Sequence, residues 1–141
     1  MTIHDQRGSA SIEATIGLPA FVLFVGLIIF GGRTSVAHQA VESASADAAR
    51  SASIARTSTD AKHDAQQAAH LSLANQDVHC LRIDVIIDAS DFTKPIGHPA
   101  TVSVTVECVL DLADLSVPGI PGTRVIRSTT SSPLDSWRER A

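Results

Sequence analysis

Glu13 stands directly before the most apolar stretch of the chain, the uncharged run ATIGLPAFVLFVGLIIFGG from Ala14 to Gly32. A carboxylate at the edge of such a segment is costly to bury and marks either an interfacial position or a function. The plain reading is electrostatic: near the start of a helix a negative charge is favoured by the helix dipole and reaches lipid headgroups. The other candidates for chemistry are sparser. Cys80 and Cys108 are the two cysteines of the chain. They allow one disulfide or two free thiols. His63 and His70 are seven apart and share a face of a predicted helix, but they have no third ligand and no i, i+4 partner. They read as exposed helix histidines, and no metal site is expected. No G-x-S-x-G, H-E-x-x-H, Walker loop or C-x-x-C occurs, and Asp84 and Glu107 read as solvated strand positions. No catalytic residue and no cofactor is expected.

The elements that position these residues are bounded by length and composition. With 141 residues the chain is one modest domain, and 15 acidic against 11 basic side chains give a net charge of −4. Without a clustered Lys/Arg run it lacks the basic patch that phosphate binding needs, so nucleic acid is not an expected partner. Three of the four Phe (Phe21, Phe24, Phe30) lie inside the apolar run, and beyond Arg33 there is one Phe, one Trp and no Tyr. The remaining core must come from Val, Ile, Leu and abundant Ala, a poor setting for a deep ligand pocket. A structural or assembly module fits better than an enzyme.

As a helix the run from Ala14 to Gly32 spans roughly 28 Å at about 1.5 Å per residue, enough to cross the hydrocarbon core of a bilayer. Membrane lipid is therefore an expected contact. Pro19 is tolerated better in a membrane helix than in a soluble one, and a kink there is the expected consequence. Flanking charge does not set the orientation, because Arg7 lies on one side and Arg33 and Arg50 on the other. The competing reading is a cleavable secretory signal with Ser35-Val36-Ala37 as its small-x-small site, although its apolar region would be longer than usual.

The segment Arg7-Gly8-Ser9-Ala10-Ser11-Ile12-Glu13, with Pro19 six residues further on, resembles the N-terminus of type IV pilin-like subunits. It most closely resembles the TadE-like pseudopilins of tight-adherence (Tad) pilus systems. The resemblance implies a cytoplasmic leader ending at Gly8, a mature N-terminus at Ser9 and an acidic fifth mature residue, Glu13. Members of the family often carry an aromatic after that Glu; here it is Ala14. The spacing also has a physical rationale. Cleavage after Gly8 would give Ser9 a free ammonium group that opposes the positive helix terminus, and a carboxylate offsets it. In a stack of helices the amine of one subunit and Glu13 of its neighbour would pair in a low-dielectric bundle and set the register.

Beyond Arg33, Ala37, Val41, Ala44, Ala48, Ala52 and Ala55 recur at steps of three and four, so an Ala-rich helix with one small-residue face is expected. Thr57-Ser58-Thr59-Asp60 matches a capping signal for a second helix, or a kinked continuation, to Ala74. The period then changes to two. Leu81, Ile83, Val85 and Ile87 form the apolar face of one strand and Val102, Val104 and Val106 that of another. Between them SDFTKPIGHP is expected to be a mobile, exposed loop. A third strand, about Thr123 to Thr130, follows the turn-rich stretch Pro118 to Gly122.

The expected fold is α+β and pilin-like: an N-terminal transmembrane helix continuing into an Ala-rich helix, packed on a small three-stranded antiparallel sheet. The divisions are a leader (1–8), a membrane helix (9–33), an extracytoplasmic helical segment (34–76), a β head (77–131) and a polar tail (132–141). Cys80 and Cys108 fall where an antiparallel pair brings strand ends together, and outside the cytoplasm a disulfide is favoured over two free thiols. Strict alternation opposes it, since Cys108 shares the face of Val104 and Val106 while Cys80 shares that of Arg82 and Asp84; a bridge requires a bulge or irregular strand end. The stretch from Cys108 to Arg140 also resembles the C-terminal part of TadE-like proteins, with Asp135 and Arg138 in the tail pattern and Trp137 where Tyr is frequent.

The resulting expectation is a non-enzymatic, single-pass pseudopilin with a cytoplasmic N-terminus and an extracytoplasmic head, taking part in filament assembly. By resemblance its partners are a prepilin peptidase that treats it as substrate, an inner-membrane platform with its motor ATPase, and other minor pilins. The alternative is a secreted or membrane-anchored binding module whose N-terminus serves only as signal or anchor.

Overall fold

The computed structural model describes residues 9–113 and 122–137, with side chains from residue 15 onward. Helix α1, Ser9–Ile54, is a single helix of 46 residues, about 69 Å long at about 1.5 Å per residue, and it runs on through Pro19. Helix α2 (Ser58–Asn75) folds back against it. The expected cap starts α2: the Thr57 hydroxyl accepts from the Asp60 backbone N–H at 3.0 Å, satisfying one of the donors a helix start leaves unpaired. At the other end Asp77 adopts a left-handed backbone (φ 56°), where Asp is tolerated better than most residues, and the Val78 N–H reaches back to the Leu73 carbonyl.

Three strands follow, β1 (Cys80–Asp88), β2 (Thr101–Asp111) and β3 (Thr123–Pro133), paired antiparallel in the order β1-β2-β3. The architecture is α+β. Helix α1 covers β2 and β3, whereas α2 lies beside α1 and reaches β1. On the central strand Val102, Val104, Val106, Cys108 and Leu110 are buried under the helices.

The core that joins these layers is unusual in its residue sizes. The helices contribute Ala37, Ala40, Val41, Ala44, Ala48, Ala49 and Ala52 from α1, and Ala61, Ala65, Ala69 and Leu73 from α2, all buried. An alanine methyl removes little apolar area from water, so what this interface gains is close approach: small side chains let the backbones come near enough for dense dispersion contact.

Two local features differ from the sequence pattern. The register slips between Cys80 and Arg82, placing Cys80 opposite Leu110, Arg82 opposite Val109 and Ile83 opposite Cys108. Leu81 is thereby turned out to 60% exposure instead of joining the inner face of Ile83, Val85 and Ile87. The second difference lies in the β1–β2 connection. It is exposed at Ser90 and from Thr93 to Pro99, as expected, but it contains a 3-10 turn, Ser90–Thr93, that leaves Phe92 only 4% exposed. Gly97, at φ 86°, donates its N–H to the Ser136 carbonyl at 2.8 Å, and Leu134 donates to Ala100 at 2.9 Å. The lone Phe beyond Arg33 is thus buried beside β2, and β3 runs three residues past its expected end at Thr130.

Candidate functional site

Helix α1 has two physically different halves. From Ile16 to Ile29 its large apolar side chains face outward, with Ile16 at 70%, Phe21 at 64% and Phe24 at 61% exposure. None of the described residues covers the most apolar window of this half. From Thr34 onward every third or fourth residue is buried under the sheet or α2. The boundary is sharp: Thr34 is buried with its hydroxyl donated to the Phe30 carbonyl at 2.9 Å, and Phe30, partly buried, packs against the core where Phe21 and Phe24 of the same helix stay exposed. Gly31 and Gly32 sit between the halves, and a methyl group added at either would meet no atom within 4 Å.

Ser9 is the first residue of α1 and Glu13 the fifth, about 6 Å further along the axis at about 1.5 Å per residue. For these two only the backbone is described; Gly8 with the leader, Pro118 to Pro121 and Arg138 lie outside the described residues. Pro19 lies within the bare half.

The model of the family described as TadE-like protein matches residues 8–50. This part of the chain is similar to TadE-like proteins. No curated protein and no solved structure matches the chain. The TadE-like segment takes in Glu13, Pro19, the whole bare half of α1 and most of its Ala stripe, and it ends before α2 and the sheet. The match suggests a Tad pilus-associated protein, and a single apolar N-terminal helix left uncovered by its own domain suggests a membrane anchor.

The TadE-like helix is held on the head by a polar contact inside the alanine stripe. Ser45 is fully buried; its hydroxyl lies 2.9 Å from the Glu42 carbonyl, 3.0 Å from Ser128 Oγ and 2.7 Å from Thr130 Oγ1. Donating to Glu42 and accepting from both strand hydroxyls uses the full capacity of a serine, one proton and two lone pairs. Sequence periodicity does not reveal this contact, because Ser45 looks like one more small residue and its partners lie 83 and 85 positions away.

Cys80 and Cys108 form a disulfide. It ties the start of β1 to the buried face of β2 at the bulge that strict alternation requires. On the opposite, uncovered face of the sheet Glu107 pairs with Arg127 at 2.6 Å and Arg82 with Asp84 at 2.7 Å, while Thr105–Thr129 and Ser103–Ser131 hydroxyl pairs bridge β2 and β3. Asp88 accepts from the Ser90 backbone N–H at 3.0 Å, and hydrogen bonding by the Ser90 side chain and backbone holds its carboxyl below the usual aspartate value. His63 lies 3.3 Å from Asp64 and His70 is exposed. Among the described residues no group of three metal-ligating side chains converges.

Beside the point where α1 leaves the sheet there is an open groove of about 770 Å³, lined by Arg33 and Val36 of α1, Asp77 and His79 of the α2–β1 turn, and Leu110 and Asp111 of β2, among others. These residues come from three distant parts of the chain.

Proposed function

We propose that this chain is a membrane-anchored, non-enzymatic pseudopilin, a minor pilin that takes part in assembling a Tad-type pilus or a related secretion filament. The observation that carries this reading is the division of α1. A TadE-like stretch left bare over a membrane-spanning length continues without a break into a stretch clamped by its own sheet. An anchor that is also a structural part of the head suits a subunit extracted from a bilayer into a fibre, because the helix moves with the head. The same continuity disfavours the secreted alternative. Cleavage after Ala37 would cut α1 at a buried position inside the packed half and remove Thr34 and Ala37 from the core.

In this reading a prepilin peptidase cuts after Gly8, the Ser9 ammonium forms at the cytoplasmic end, and Glu13 pairs with the amine of a neighbouring subunit. The head then lies outside the cytoplasm, where the disulfide is stable. The helical anchor bends at Pro19. An inner-membrane platform with its motor ATPase and other minor pilins are the assembly partners. Apposed charges in a low-dielectric bundle attract strongly, and a subunit lacking the carboxylate leaves a buried ammonium unpaired, which is strongly disfavoured.

N-terminal sequencing of the membrane-fraction protein tests processing: Ser9 as first residue supports the reading, His38 overturns it in favour of secretion, and an intact Met1 removes the charge-pairing step. Co-purification tests assembly. Glu13→Gln keeps membrane insertion and loses partner pilins, and normal pull-down by the variant refutes the pairing.

A further inference from the structure

The geometry points to a phospholipid site in the groove beside Arg33, with an aminophospholipid headgroup of the phosphoethanolamine kind as its occupant. This inference rests on the membrane-anchor reading of α1. Depth is the first argument. Gly32 ends the apolar run and Arg33 follows it, and both line the groove, so in a membrane-crossing α1 the groove opens where hydrocarbon gives way to headgroups. Chemistry is the second. Val36, 58% exposed on the same helix as the bare half, offers apolar surface at the groove, with the edge of the buried Leu110 behind it, suited to the glycerol and upper acyl carbons of a lipid.

Among the described residues that line the groove, Arg33 carries a fixed positive charge and Asp77 and Asp111 are carboxylates, with the imidazole of His79 beside Asp77. A guanidinium binds a phosphate through two parallel N–H donors, and a primary ammonium donates charge-assisted hydrogen bonds to carboxylates. A phosphoethanolamine headgroup carries both partners one short linker apart. An anionic glycerol headgroup would bring its phosphate near two carboxylates with no ammonium to offset them, and a choline headgroup has no N–H to donate. Asp77 and its neighbour His79 are almost wholly solvent-exposed in the protein alone, 3.9 Å apart, so the carboxylate is accessible to a lipid amine.

The test uses the full chain reconstituted in nanodiscs of equal phosphatidylethanolamine, phosphatidylcholine and phosphatidylglycerol. Lipids retained on the released protein are then counted by native mass spectrometry. The expected result is about fivefold enrichment of phosphatidylethanolamine over each of the others, equivalent to about 1 kcal/mol at room temperature. The double variant Asp77→Asn, Asp111→Asn should lose that enrichment, since Asn keeps the left-handed turn at 77 and an acceptor at 111 but removes both charges. Equal retention of the three lipids, a preference for phosphatidylglycerol, or enrichment that survives in the double variant overturns the site. The wild-type comparison decides by itself if the variant does not fold. Extraction of the wild-type chain from vesicles by alkaline carbonate is a separate outcome and overturns the membrane anchor along with the site. A chain that resists extraction yet shows no preference overturns the site alone.

Discussion

Cys80 is bonded to Cys108 although the residue opposite Cys108 in the ladder is Ile83, and Cys80 itself stands opposite Leu110. The bulge at Leu81 makes the diagonal link possible by returning Cys80 to the inner face of the sheet. The bridge closes a loop between residues 28 apart, which on a chain-entropy basis is worth about 3.5 kcal/mol.

Replacing both cysteines by serine is therefore expected to cost about 3 to 4 kcal/mol, read as a lower urea midpoint of the detergent-solubilised chain. A midpoint unchanged in the double variant would remove the disulfide from the account of stability. Intact mass under non-reducing conditions, with and without alkylation, reports the oxidation state directly.

Ser45→Ala removes the shared partner of Ser128 and Thr130, so two hydroxyls beneath α1 lose a bond. The expected loss is about 1 to 3 kcal/mol in urea unfolding. A triple variant that also carries Ser128→Ala and Thr130→Val should recover most of it, because an apolar site of similar shape has no group left unsatisfied. If Ser45→Ala alone is neutral, the hydroxyl cluster does not hold α1 on β3.

Close helix approach makes the alanine seam sensitive to added volume. Ala48→Leu or Ala65→Leu is expected to destabilise the head by about 1 to 3 kcal/mol through overpacking. Gln66→Leu, at an exposed position of α2, should stay within about 0.5 kcal/mol of the parent. Equal thermal midpoints for Ala65→Leu and Gln66→Leu would show that the helices have room to part.

The depressed Asp88 carboxyl sets a direction for pH. Hydrogen bonds from Ser90 favour the ionised form in the folded state, so the folded value lies below the unfolded one. The associated stabilisation is present above the unfolded value and disappears as pH falls through the folded one. A carboxyl titration followed by NMR should place the Asp88 midpoint below 3.8, and Ser90→Ala should move it upward by removing the hydroxyl bond.

Much of this architecture was legible because its causes are local. The Thr57 cap needs only Asp60 three residues on, and the alternation of Val102, Val104 and Val106 sorts one strand into an inner and an outer face. The need for an irregularity near Cys80 also follows from the pleat alone. Three features were illegible for the converse reason. Phe92 sits in a segment without periodicity, and it is buried where that segment lies against β2. Ser45 is polar in an apolar stripe because of strand residues more than 80 positions away. The groove unites residues 33, 77 and 111, which no sequence window contains.

Gly31 and Gly32 lie inside α1 with open space on their Cα atoms, so no neighbour explains the lack of a side chain. Each glycine weakens helix propagation by about 1 kcal/mol relative to alanine. The long rod is therefore softest at its collar, directly beneath the first clamped turn. A sideways load on the head would strain that collar before the alanine seam above it or the bare stretch below.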